Sequence, residues 1–83
     1  MMREFTDREG RTWTALVREA PATDYKGRYH LVLRPADEPA REYPLEDIRW
    51  NSERTGLRTI ETMSEVELRR RLRSAVGRGA EVR

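Results

Sequence analysis

A chain of 83 residues has room for one domain and a modest core. Charged residues make up 39% and hydrophobic ones 36%, but the net charge is only +2 and the apolar residues are clustered and periodic, which fits a folded domain with a densely charged surface better than a disordered chain. With no cysteine, disulfides and Cys-based zinc sites are excluded; the longest aliphatic runs, Ala15-Leu16-Val17 and Leu31-Val32-Leu33, are too short for a membrane span or a signal-peptide core, so a soluble, cytoplasmic protein is expected.

In chain order, Arg3 to Thr6 and Arg11 to Glu19 read as two strands of a hairpin around Asp7-Arg8-Glu9-Gly10, where Asp opens a type I turn and Gly supplies the positive φ at its end. Alternation along the second strand puts Trp13, Ala15 and Val17 on one face, the expected core face, and leaves Leu16 as an apolar exception on the other. Pro21 ends this strand and residues 20–27 form a loop. Arg28 to Arg34 is the clearest strand, with Tyr29, Leu31 and Leu33 on one face and His30 and Val32 on the other. Ala36 to Ala40 is a turn, and Arg41 to Glu46 a short strand that Pro44 confines to a sheet edge.

Residues 47–63 are open between helix and loop: Asn51 or Ser52 can cap a helix and Leu57, Ile60 and Met63 recur at helical spacing, while Gly56 and the threonines weaken it. Ser64 to Val76 is the firmest element. Ser64-Glu65-Val66-Glu67 matches a capping box, Leu68, Leu72 and Val76 form an apolar stripe, and Gly77 is a natural stop, which leaves a basic, mobile tail over residues 78–83. The expected fold is α+β: a single domain over residues 1–77, with an antiparallel sheet of three or four strands packed against a C-terminal helix. A small barrel with a terminal helix is the runner-up.

Catalytic constellations are hard to find. The only imidazole, His30, lies in mid-strand, Ser52 and Ser64 read as helix caps, and no Gly-rich loop opens a helix to cradle phosphate. Glu4, Asp7, Glu9, Asp37 and Glu38 sit in or beside turns, where solvated charge is expected; no cofactor or metal is called for.

The basic residues are 16 arginines and one lysine, Lys26, a bias expected of a GC-rich bacterial genome. From Leu68 onward Arg69, Arg70, Arg71, Arg73, Arg78 and Arg83 face a single acid, Glu81, whereas the first 43 residues are neutral. Such asymmetry is the footprint of a contact to RNA, DNA or an acidic partner. The same residues also suit a solvated helix, because Glu65 and Glu67 stand four residues before Arg69 and Arg71. Trp50, at the strand-to-helix junction, is a candidate protein-interface residue. The expected function is therefore a non-enzymatic binding module acting through protein–protein contact or as a homodimer. The alternative is a nucleic-acid-binding protein using Arg69, Arg70, Arg71, Arg73 and Arg78.

Overall fold

Asp7 organises the first turn. Its Oδ1 accepts the amides of Glu9 and Arg11, both at 2.9 Å, and Gly10 closes the turn at φ 84°, in the left-handed region that glycine enters without strain. The computed structural model describes residues 2–19 and 27–82, residues 78–82 by their backbone alone. Among these residues, strands β1 (Arg3–Thr6), β2 (Thr12–Glu19), β3 (Tyr29–Pro35) and β4 (Tyr43–Trp50) precede helices α1 (Glu53–Thr62) and α2 (Glu65–Val82). The loop expected over residues 20–27 lies, through residue 26, outside the described residues.

The sheet is an antiparallel meander in the order β1-β2-β3-β4, open at both edges, so the fold is α+β with a sheet backed by helices, and the barrel runner-up does not form. Register follows the alternation: Trp13 faces Phe5 and Pro35, Ala15 faces Leu33, and Val17 faces Leu31. β4 is an edge strand, as Pro44 requires, but it runs on to Trp50 rather than stopping at Glu46. The extension passes a bulge: Leu45 pairs with Leu31 and Arg49 with His30, so residues 46–48 leave the ladder. Alternation breaks at that bulge, which is why periodicity ends the strand early.

Both helices cover the face carrying Trp13. Phe5, Trp13, Ala15, Leu31, Leu33 and Leu45 from the sheet meet Ile60 of α1 and Leu68, Leu72 and Ala75 of α2. Each fully buried aliphatic side chain contributes roughly 1.5–3 kcal/mol. Val76, expected in this stripe, is instead 37% exposed and Ala75 is buried. Spacing of four overshoots a 3.6-residue turn, so the third position rotates off the core while Ala75, seven residues after Leu68, stays on it.

Residues 47–63 resolve into the end of β4 and a capped helix. Ser52 Oγ accepts the Thr55 amide at 3.2 Å, and the Thr59 and Thr62 hydroxyls donate to carbonyls one turn back, at 2.8 and 3.1 Å, which occupies side chains that would otherwise compete with the helix. Ser64 caps α2 through the Glu67 amide at 3.1 Å, the expected half of the capping box. The Glu67 carboxylate binds Arg70 and Arg71. The expected stop at Gly77 does not occur: α2 stays helical to Val82. Glycine ends a helix only where it turns left-handed, and Gly77 keeps a negative φ.

The opposite sheet face is less open than alternation implies. Thr14, Leu16, His30 and Val32 are all buried there. Ion pairs of Glu42 with Arg18 and Arg34 bridge this face, and Arg34 reaches the Met2 thioether. Long charged side chains can bury their methylene stems over apolar residues while keeping their heads in water.

Candidate functional site

The helix arginines do not act as one patch. Arg69 donates to Thr6 O at 2.7 Å and to Glu65 at 2.9 Å, fastening α2 to the end of β1. Arg70 and Arg71 both pair with Glu67, at 3.2 and 2.8 Å. Arg73 has no ion pair among the described residues and borders a groove; the side chains of Arg78 and Arg83 lie outside the described residues. Trp50 is half-buried, its ring laid against Gly56 and the edge of the core.

The groove, of about 610 Å³, lies between the β1–β2 turn and α2. Its floor is Trp13, Tyr43, Leu72 and Val76; Arg8, Arg11, Arg69 and Arg73 stand around it, with Asp7 and Glu9 on the turn. Trp13 is nearly sealed, at 4% exposure. Its indole Nε1 donates to Asp7 Oδ2 at 2.9 Å, Tyr43 lies 5.8 Å from it, and the Arg11 guanidinium sits 5.3 Å from its ring centre. Arg11 is in turn fixed by Asp37 at 3.2 Å and Glu38 at 2.8 Å, so this wall is tied to the β3–β4 turn. The ring therefore has no free face on which a base could stack.

Asp7, beside the groove, is already engaged by Trp13 and the turn amides. The Trp13 indole bond, ahead of the turn amides and Arg11, holds Asp7 below the usual carboxylate range, the reverse of what a general acid at neutral pH needs. His30 lies on the other sheet face, where burial lowers its pKa. Among the described residues no three His, Asp or Glu side chains gather as a metal site, and no helix is long and apolar enough to cross a membrane.

Sequence reasoning named Arg69 and Arg73 but missed Arg8, Tyr43, Leu72 and Val76 as surface-forming residues. The available signal was Val76 itself, an apolar residue at a helix position that a 3.6-residue period turns away from the core. No protein-family model matches the chain, and no curated protein or solved structure matches it.

Proposed function

We propose that this protein is a small non-enzymatic binding module that receives part of another protein in the groove between the β1–β2 turn and α2. The observation that carries this reading is an apolar floor, with Val76 37% exposed beside Leu72 and Tyr43, opening between Arg8 on the turn and Arg73 on α2. Self-association by strand pairing has less support, since both edges are blunted. β1 has four residues and its Thr6 carbonyl is taken by Arg69, while β4 carries Pro44 and a bulge. The nucleic-acid alternative is weakened by the pairing of Arg69, Arg70 and Arg71 with Glu65 and Glu67.

The test is to pan a random peptide library against the wild-type protein and against Val76→Asp, with circular dichroism verifying that both are folded. Enrichment on wild type that Val76→Asp abolishes supports the reading. Equal enrichment on both puts the binding surface elsewhere. Salt-sensitive retention of generic RNA with no peptide enrichment favours the nucleic-acid alternative.

A further inference from the structure

Most of the charge around the groove is already matched inside the molecule. Asp7 is committed to Trp13 and to the turn amides, Arg11 to Asp37 and Glu38, and Arg69 to Glu65 and Thr6. Arg8 on the turn and Arg73 on α2 line the groove from opposite sides, and neither has an ion pair among the described residues. Resting on the groove reading above, we infer that the segment it receives is acidic: an apolar side chain seated on Leu72 and Val76, flanked by carboxylates that meet Arg8 and Arg73.

Guanidinium groups bind carboxylates as two-pronged donors, and partly desolvated edges of an apolar groove strengthen such pairs. The groove selects for spaced charge. Its floor requires an apolar residue between the carboxylates, which a continuous polyanion such as a phosphate backbone does not offer. A groove of about 610 Å³ takes a few side chains of a slender segment.

The sequences enriched in the panning test this directly, with Arg8→Gln combined with Arg73→Gln as the third bait. Enriched peptides should carry Asp or Glu on both sides of an apolar residue, and the double variant should lose that acidic bias while still enriching apolar peptides. Replacing the acids of the best synthetic peptide by Asn and Gln should weaken its binding to the full-length protein by about fivefold or more, with the difference shrinking as salt rises. Val76-dependent enrichment with no acidic bias, or a bias that survives in the double variant, overturns the acidic assignment and leaves the groove reading standing. Enrichment that Val76→Asp does not alter, or none at all, overturns both.

Discussion

A Cβ placed on Gly56 would lie 2.8 Å from Cε3 of Trp50, so it is the missing side chain on α1 that lets the indole lie flat against the helix. The same Cβ would come within 2.9 Å of a Val17 methyl. Neither neighbour can swing away cheaply, since one is a ring and the other a branched side chain held in a strand.

Two glycine-to-alanine changes should therefore act in opposite directions. Gly56→Ala gains helix propensity but overpacks the Trp50 contact, for a net loss of about 1–2 kcal/mol. Gly77→Ala meets nothing within 4 Å and should gain about 0.5–1 kcal/mol. Urea unfolding monitored by tryptophan fluorescence measures both, and a gain at Gly56 would show that the helix can shift away from the ring.

Arg3 is the joint between β1 and the helix pair. Its Nη1 donates to the carbonyls of Ile60, Glu61 and Met63 at 3.2, 2.9 and 2.9 Å, satisfying the end of α1 and the α1–α2 corner. Arg3→Ala should cost about 2 kcal/mol, and Arg3→Lys should recover much of it, because all three bonds come from one nitrogen and an ammonium carries three N–H donors on one nitrogen. Hydrogen exchange should show α1 opening more readily in the alanine variant, while the β2–β3 ladder keeps its protection order.

Asp7 should give the protein an acid-sensitive limb. Its folded pKa is lowered, chiefly by the Trp13 indole bond, so its contribution is complete above the unfolded carboxylate pKa and disappears as pH falls through the lower folded value. Asp7→Asn leaves one carbonyl oxygen for three donors. It should lower the melting temperature at neutral pH and flatten its fall below about pH 4. A variant with an unchanged acid limb would show that other carboxylates carry it.

His30 should add a second pH dependence at higher pH. Burial lowers its pKa; Glu46 and Glu42 oppose that shift, while Arg49 and Arg18 reinforce it, and its Nδ1 has no hydrogen-bond partner among the described residues. A base with a lowered folded pKa stabilises fully above its unfolded value, and that stability fades as pH falls below about 6.5. His30→Gln should remove this dependence from the melting temperature below about pH 6.5, leaving the Asp7 limb in place.

How far residues reveal structure depends on where their partners lie. The Asp7–Gly10 turn, the Ser64 cap and the inward alternation of Trp13, Ala15 and Val17 were readable because each depends on neighbours a few positions away. The end of β4 was misread because three bulged residues interrupt a period of two. The continuation of α2 past Gly77 was missed because glycine permits a left-handed stop without imposing one.

The sequence alone determined the class of the molecule: alternating strands need a cover, and the capped amphipathic segment supplies one, so an open sheet under helices follows from local pattern and burial. Tertiary structure alone decided what its charges do. Arg3 closes a helix whose carbonyls lie 57 to 60 positions away, and Arg69 ties to a carbonyl 63 positions away, while Arg8 and Arg73 are left to face the groove. No periodicity encodes those separations, because a guanidinium's partner is set by which chain segments the core brings together, and only the packing of α2 across the sheet determines which cations remain unspent.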